Sequence, residues 1–541
     1  MHKRYKETAL SGGPQQRFKL RLLFIVIPLV SSAITHLLNP IEFPSVHTDE
    51  GHYMNRAMHL LQANGPHEDE NIYTRIFDHP YFGQVFVGAA LTLVDYPSTS
   101  TVGSSGSQTQ IEMLYMAPRI LMGLIAVADT FLVYKIAERR YNRTVALIAA
   151  TLFAVMPFSW LLRRILLDNL LLPLLLCSVL FALSVRQHEN RDTPSIQDMI
   201  LVLLSGIFLG LSIFTKIPSF AFIPLLSFIL LTRTRNLKTF LFWLIPVLVI
   251  PSIWPAYAIY SGEFEEWKND ILWQATERVQ RPLATSLQEF FKIDPVLFSL
   301  SIVGIVFAGF RRDFFILFWS LPYLFFLYLI GFTNIINLIE IQPVFCIAIS
   351  LFLISIISKI KKRKFQSALL IALMTSIVAF GMASNIIIAS LNMTTSYFRT
   401  VALITALIDE ESNTPNGSNR NGITLVGYRW VPGFSWILDQ VLQKDVEYQK
   451  YYFKADIETD KFILIADRTF YNFLFDKDAE NENVKFAEGL FNKSQVVAEI
   501  NDNTTRVDQS LFPYNALHDN RGIGDLEIRT NYSTSSTFKD S

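Results

Sequence analysis

Two adjacent carboxylates, Asp49 and Glu50, lie between two histidines, His47 and His52. Carboxylates and imidazoles are the side chains that most often transfer protons in enzymes, so this segment is a candidate for general acid–base chemistry. A simpler interpretation is that Thr48 caps a helix whose positive end favours the two acids. A metal site built from the two acids and the two histidines is a third option, because these side chains are common metal ligands.

A second polar segment, 77–84, contains His79 directly before Pro80. Proline suits the first turn of a helix, and the N-terminus of a helix attracts anions. The segment therefore predicts either an anion-binding turn or simply a turn that starts at a proline.

Basic residues follow further along the chain, at Arg163, Arg164 and Lys216, with Asp168 close to the two arginines. Arginine has the right shape to bind phosphate, and ionisable groups at membrane depth are functional candidates. The alternative is that these cations extend along apolar surface towards water, with Asp168 as their counter-ion.

These residues must be positioned by membrane helices, because the chain is 51% hydrophobic and only 17% charged. Such a composition is too apolar for an ordinary soluble domain. Runs long enough to cross roughly 30 Å of hydrocarbon recur up to Leu391. They predict about eleven transmembrane helices, near 20–38, 112–134, 145–162, 170–185, 199–214, 220–231, 240–260, 296–310, 314–332, 343–357 and 366–391.

Lys and Arg concentrate in alternate connections between these spans, which by the positive-inside rule places the N-terminus in the cytoplasm. The apolar run Tyr81–Val94 is too short to span and is interpreted as an interfacial or re-entrant helix on the outer side. An amphipathic helix near Gly51–Ala63 precedes it, so two juxtamembrane helices are expected within 40–96. This topology puts the acids of the first loop, His79, both arginines and Lys216 on the outer face.

The last part of the chain, 392–541, has 15 Lys and Arg against 22 Asp and Glu, whereas the first 391 residues have 32 against 25. Strand-like runs at 423–426 and 462–466 alternate with a helical pattern at 434–442, which predicts a small extracytoplasmic α/β domain. The cysteines, Cys177 and Cys346, both fall in spans, so no disulfide is expected in that domain.

The order of these motifs resembles the polyprenyl-phosphate-sugar-dependent membrane glycosyltransferases of the GT-C type, which include protein O-mannosyltransferases and aminoarabinose lipid A transferases. Segment 49–53 resembles their Asp-Glu signature, and 77–84 resembles their Phe-Asp-(Val)-His-Pro-Pro-Leu-Gly-Lys element. Segment 164–168 is similar to their Arg-[Ile/Phe]-x-Leu-Asp element, and 214–216 to a Thr-Lys or Ser-Lys element. The family's second proline and its lysine are replaced here by Tyr81 and Gln84.

The resemblance implies that 1–391 is a transmembrane glycosyltransferase domain with a polyprenyl- or dolichyl-phosphate sugar donor. It implies that Asp49 is the catalytic base and that Glu50 either orients the acceptor or assists Asp49. It also implies donor-phosphate contacts from Arg164, Lys216 and His79, with His52, Asp168 and Arg163 in support.

The expected reaction inverts the linkage of a single, mannose-like sugar as it moves to an acceptor hydroxyl at the outer membrane face. A protein Ser/Thr, a lipid and a glycan are all open as acceptors. The expected location is the plasma membrane of a prokaryote, and no nucleic-acid partner is expected. The pattern requires no cofactor, although a divalent metal is an option.

Two other classes of protein are compatible with many spans. A polytopic transporter places its ionisable residues at the bilayer midplane on broken, repeated helices, whereas these charges fall at outer helix ends without a repeat. A membrane-anchored binding protein that works through its outer domain has no need of acids in the first loop, so substitution of Asp49 would leave it unaffected.

Overall fold

The computed structural model describes residues 14–66, 76–98, 106–187, 194–412, 422–427, 431–449, 461–475, 482–501, 507–517 and 525–534. Most of them are helical. The first seventeen helices are α1 (Pro14–Leu37), α2 (Thr48–Leu61), α3 (Phe82–Thr92), α4 (Gln108–Arg140), α5 (Arg143–Val155), α6 (Leu167–Ser184), α7 (Ile196–Thr215), α8 (Ile223–Thr234), α9 (Leu237–Val249), α10 (Ile253–Ser261), α11 (Phe264–Thr276), α12 (Leu283–Ile293), α13 (Pro295–Phe310), α14 (Phe314–Leu329), α15 (Gln342–Ile357), α16 (Arg363–Ala389) and α17 (Thr395–Ser412).

The spanning helices follow the apolar runs of the sequence, because a helix satisfies every backbone hydrogen bond within the bilayer. Helices occupy each of the eleven predicted spans. Among the described residues, seven helical stretches are long and apolar enough to cross a membrane by length and composition. An eighth forms if α5 and the 3₁₀ helix Pro157–Arg163, bent by 68°, count as one span. The chain is an integral membrane protein, and the count of eleven stays a prediction.

The centre of the bundle is α5, whose residues 145–155 are all buried. Helix α16 approaches it closely at Gly381, where a Cβ atom would lie 2.4 Å from the carbonyl oxygen of Val155. Any larger side chain at this position would push the two helices apart, so glycine permits the packing here.

The connection between α1 and α4, predicted above to be the first outer loop, contains two short helices, α2 and α3. The cap of α2 is His47 rather than Thr48, because its side chain accepts a hydrogen bond from the N–H of Asp49. Helix α3 has 11 residues and a length of about 16 Å, which is too short to cross a bilayer.

Helix α2 differs from the amphipathic surface helix that its sequence predicts. All of its residues from Glu50 to His59 are buried, including Arg56. The reason is that two helices pack on α2, namely α3 and, from the C-terminal part, α18 (Val431–Trp436).

The C-terminal part contains a five-stranded sheet in the order β2-β1-β3-β5-β4. The strands are β1 (Ile423–Val426), β2 (Val446–Gln449), β3 (Lys461–Asp467), β4 (Gln495–Ile500) and β5 (Leu526–Thr530). Strands β2, β1 and β3 are parallel, whereas β5 is antiparallel to β3 and β4. Helices α19 (Arg468–Leu474) and α20 (Glu482–Lys493) also belong to the C-terminal part.

Strands β1 and β3 lie where the sequence predicts strands. The C-terminal part is also held to the membrane helices by hydrogen bonds: the Tyr115 hydroxyl donates to the Gly433 carbonyl at 3.1 Å. The Trp160 indole N–H donates to the Ala516 carbonyl at 2.8 Å. The boundary at 391/392 and the description of this part as a separate α/β domain stay predictions.

Candidate active site

Asp49 lies in the first turn of α2 with its side chain 39% exposed. The His47 Nδ1 atom is 3.8 Å from its Oδ2 atom. Burial alone would raise the pKa of Asp49, but His47, His52 and Lys216 outweigh that effect and hold the pKa below its ordinary value. Asp49 is therefore an ionised carboxylate at neutral pH that reaches open space.

Glu50, the next residue, is completely buried. Its carboxylate is 3.1 Å from an Arg119 guanidinium nitrogen and accepts the backbone N–H of Ile165 at 3.0 Å and of His47 at 2.9 Å. Burial alone would raise the pKa of Glu50. Arg119, Arg164 and the two N–H groups outweigh burial and hold this pKa below its ordinary value. This carboxylate thus joins α2, α4 and the loop before α6.

Arg119 lies outside all the sequence motifs described above. Besides Glu50, it donates to the carbonyl oxygens of Pro40, Ile41 and Pro44 at 3.3, 3.1 and 2.8 Å. The signal that points to it is an isolated arginine inside the predicted span 112–134, since an intramembrane charge needs a partner.

Asp168, in the first turn of α6, and Lys216, directly after α7, form a buried ion pair. The Lys216 ammonium donates to both Asp168 carboxylate oxygens at 2.7 Å, and the Asn337 amide donates to one of them at 3.1 Å. Glu340 is also completely buried and interacts electrostatically with this pair. Lys216 is therefore not an isolated cation but part of a cluster that joins three loops on the same side of the bundle.

The segment before α3 is fixed from two sides. The Asp78 carboxylate is 2.6 Å from the Arg56 guanidinium of α2, and the Phe77 N–H donates to Asp270 of α11 at 2.9 Å. Burial would raise the pKa of Asp78, but Arg56 lowers it to about 2. His79 has its ring centroid 6.5 Å from that of Tyr53.

Burial lowers the pKa of His79 to about 4, which Asp78 only partly offsets. At neutral pH His79 is thus an uncharged ring that can donate or accept a hydrogen bond, rather than a cation.

The two adjacent arginines, Arg163 and Arg164, contact different parts of the structure. Arg163 donates to the carbonyl oxygens of Leu38 and Asn39, the latter at 3.0 Å, and lies over the Phe43 ring. Arg164 lies over the Trp160 ring, with its charge close enough to Glu50 and Asp49 to interact with both. Arg163 thus fixes the end of α1, whereas Arg164 belongs to the acidic site.

Sequence reasoning missed Arg278, which follows α11. Its guanidinium lies 3.6 Å from the Phe332 ring centroid and donates to Gln274 at 2.9 Å. Burial lowers the pKa of Arg278, and the negative charges of Asp49 and Asp78 raise it, so this arginine faces the same site. An arginine in a loop assigned to the outer side is the same exception to the charge bias that drew attention to Arg163.

His52 lies one turn after Asp49 on the buried face of α2. The four side chains of the hypothetical metal site are not arranged as a set of ligands, because the Glu50 oxygens are taken by Arg119 and two N–H groups. Within the described ranges, no group of three or more His, Cys, Asp or Glu side chains has a metal-binding arrangement.

Residues 111–258 match a family model described as dolichyl-phosphate-mannose-protein mannosyltransferase. The match includes Arg119, Arg164, Asp168 and Lys216 but not the first outer loop. No curated protein matches the sequence.

Among solved structures, an oligosaccharyltransferase from Archaeoglobus fulgidus is similar with a TM-score of 0.56 and 14% identity, covering 87% of this chain and 72% of that chain. ArnT from Cupriavidus metallidurans is similar with a TM-score of 0.54 and 13% identity, covering 97% of this chain and 100% of that chain. The chain has the GT-C fold. The predicted resemblance to polyprenyl-phosphate-sugar-dependent membrane glycosyltransferases is thereby confirmed.

Proposed function

We propose that this protein transfers one sugar from a polyprenyl phosphate to an acceptor hydroxyl at the outer face of a prokaryotic plasma membrane, with Asp49 as the base. The family match and the fold support the coarser statement, a GT-C glycosyltransferase that uses a lipid-linked sugar. One structure of the Archaeoglobus enzyme holds an inhibitory peptide and a dolichol-phosphate, and one of ArnT holds undecaprenyl phosphate.

The observation that carries the proposal is the contrast between Asp49 and the acids around it. Glu50, Asp78 and Asp168 are each paired with an arginine or a lysine within 3.1 Å. Within the described part of the chain, the ion-pair partner of Asp49 is His47 at 3.8 Å, and the Asp49 side chain reaches solvent. A general base must reach its proton donor, and Asp49 meets that requirement.

In the proposed reaction, the Asp49 carboxylate accepts the proton of the acceptor hydroxyl. The oxygen then attacks the anomeric carbon from the side opposite the phosphate, and the bond between that carbon and the phosphate oxygen breaks. The new linkage is inverted, and the polyprenyl phosphate leaves with one additional negative charge.

Cations must stabilise that charge as it develops. Arg164 and Arg278 both face Asp49 and are assigned to the donor phosphate. Lys216 has three N–H donors, and Asp168 takes two, so the third can reach a phosphate oxygen. Neutral His79 would add a hydrogen bond, and the buried Glu50 would act as a positioning residue rather than touch the substrate.

The finer identity of the substrates is part of the proposal. The description of the matching family supports mannose as the sugar and a protein as the acceptor. A Ser or Thr hydroxyl of that protein is our proposal for the acceptor group. The transfer assay also includes lipid and glycan acceptors.

The test is a transfer assay with purified full-length protein, radiolabelled dolichyl-phosphate-mannose, and peptides, lipids or glycans as acceptors. We expect Asp49→Asn to lower the transfer rate by a factor of about 10²–10⁴. Asp95→Asn, at an exposed acid after α3, is the matched control and should keep the wild-type rate. Equal rates for both variants would exclude Asp49 as the base. Absence of transfer from every polyprenyl-phosphate sugar would refute the function.

A further inference from the structure

A cavity of about 280 Å³ lies at the end of the bundle far from Asp49. Three arginines and three phenylalanines are prominent in its lining: Arg140, Arg233, Arg312, Phe228, Phe314 and Phe315. None of the groups assigned to sugar transfer belongs to it, so the cavity needs a separate explanation.

Helix α4 gives the position of the cavity across the membrane. Arg119 of α4 contacts Glu50 beside the candidate active site, whereas Arg140, at the other end of the same helix, lines the cavity. The two residues are about 30 Å apart at the rise of an α-helix, which is the thickness of the hydrocarbon layer. The cavity thus lies at the opposite membrane surface, which the positive-inside rule assigns to the cytoplasm.

Positive charge dominates this cavity. Arg233 donates to the Val185 carbonyl at 2.7 Å, and the charges of Arg139 and Arg140 act on it from nearby. Among the residues that the structure describes, no acid lines the cavity. Asp313 borders the cavity, but its carboxylate is engaged by Arg140 at 3.3 Å and by the Tyr141 hydroxyl at 2.9 Å.

The walls of the cavity are aromatic and reach the surface of the bundle. Phe314 is 49% exposed and its ring centroid is 6.1 Å from that of Phe228. A free anion gains nothing from such walls, whereas an amphiphile can place its charge on the arginines and its chains along the phenylalanines. The volume suits a head group, with the chains outside along the helices.

We propose that this cavity binds the phosphate head group of an anionic membrane phospholipid in the cytoplasmic leaflet. The lipid would bridge the ends of α4, α8 and α14, which each contribute at least one lining residue. Basic pockets between transmembrane helices on the cytoplasmic side are well suited to phospholipid head groups. The site is separate from the donor site and does not depend on sugar transfer.

The test is thermal unfolding of the full-length protein in neutral detergent, with added phosphatidylglycerol, phosphatidylcholine or inorganic phosphate. We expect phosphatidylglycerol to raise the Tm by several degrees in a saturable manner, because a ligand that binds only the folded state stabilises it. Phosphatidylcholine and inorganic phosphate should leave the Tm unchanged.

Adjacent arginines provide a matched pair of variants. Arg312 lines the cavity, whereas Arg311 lies over Phe307 and is not among the lining residues. Arg312→Gln should weaken the apparent affinity for phosphatidylglycerol about fivefold, equivalent to roughly 1 kcal/mol per charge near a lipid head group. Arg311→Gln should keep the wild-type affinity.

Equal weakening by both variants would reduce the effect to surface charge and overturn the proposal. An equal shift with phosphatidylcholine would overturn it too, and an equal shift with inorganic phosphate would identify a soluble anion instead. If Arg312→Gln does not fold, Arg140→Gln takes its place. The comparison of the three additives on the wild-type protein then still tests the proposal.

Discussion

The two membrane faces of this protein use charge differently. At the face that carries Asp49, which the positive-inside rule assigns to the outside, Glu50–Arg119, Asp78–Arg56 and Asp168–Lys216 are ion pairs of 3.1, 2.6 and 2.7 Å whose members are mostly buried. At the opposite face, Arg140 and Asp313 are 3.3 Å apart and both partly exposed, beside a cavity lined by further arginines.

The comparison separates two purposes of charge. Buried pairs have a fixed geometry, so they can hold Asp49 and the cations proposed to bind phosphate in place before a substrate arrives. Partly exposed arginines give a general attraction to anions, which suits a lipid surface better than a reacting centre. Substitutions should therefore have large effects at the outer face and small effects at the other.

The largest effect on stability is expected for Glu50→Ala. Loss of this carboxylate leaves Arg119 buried without its acid and releases the Ile165 N–H, so the free energy of unfolding should fall by roughly 3–5 kcal/mol. Thermal unfolding measures this, with Asp49→Asn as the control that keeps the wild-type Tm. If the Glu50→Ala protein were as stable as the Asp49→Asn protein, the assignment of Glu50 as a positioning residue and of Asp49 as the base would be contradicted.

A smaller effect is expected from coupling between Asp168 and Lys216. Lys216→Met leaves a buried carboxylate without its cation, whereas the double variant with Asp168→Asn removes both charges. A double-mutant cycle in the unfolding free energy should therefore give a coupling of about 1–3 kcal/mol. Additive effects would show that the two residues do not depend on each other.

The lowered pKa of His79 predicts that the stability of the folded protein depends on pH. Its pKa in the folded protein is about 4, below the ordinary value of 6.5. Between these two values the unfolded chain binds more protons, so stability should fall as the pH decreases from 6.5 to 4 and level off below. His79→Gln should remove this component, as Tm measurements across that range would show. Parallel curves for wild type and variant would contradict the burial of the ring.

The smallest effect is expected at the end of the bundle opposite Asp49. Asp313→Asn weakens a partly exposed pair with Arg140 but keeps an acceptor for the Tyr141 hydroxyl, so the change should stay below about 1 kcal/mol. Thermal unfolding in high and low salt is the measurement. A loss as large as that of Glu50→Ala would erase the difference between the two faces.

Much of this arrangement can be predicted from local sequence. The apolar runs mark the helices, and the short run after His79 correctly indicates a helix too short to span. The motifs indicate Asp49, Arg164 and Lys216 as residues to examine, and the structure brings all three close enough to interact, directly or through Asp49.

The remainder depends on contacts between residues distant in sequence. Nothing near Glu50 indicates that Arg119 and Ile165 engage its carboxylate, and nothing near Asp168 indicates a bond from Asn337. The burial of α2 likewise depends on α18, which lies almost four hundred residues later. Periodicity reports which face of a helix is apolar, but not which distant segment covers its polar face.

The central claim is that the sugar-transfer residues and the basic cavity face opposite sides of the membrane. Two exposed positions report on the two faces: Val279 beside Arg278, with 82% exposure, and Phe310 beside Arg311, with 86%. Each is replaced by cysteine in a protein whose Cys177 and Cys346 are changed to serine, and intact cells are treated with a membrane-impermeant maleimide. We predict labelling at position 279 in intact cells and at position 310 only after permeabilisation. Labelling of both from the same side would contradict the account.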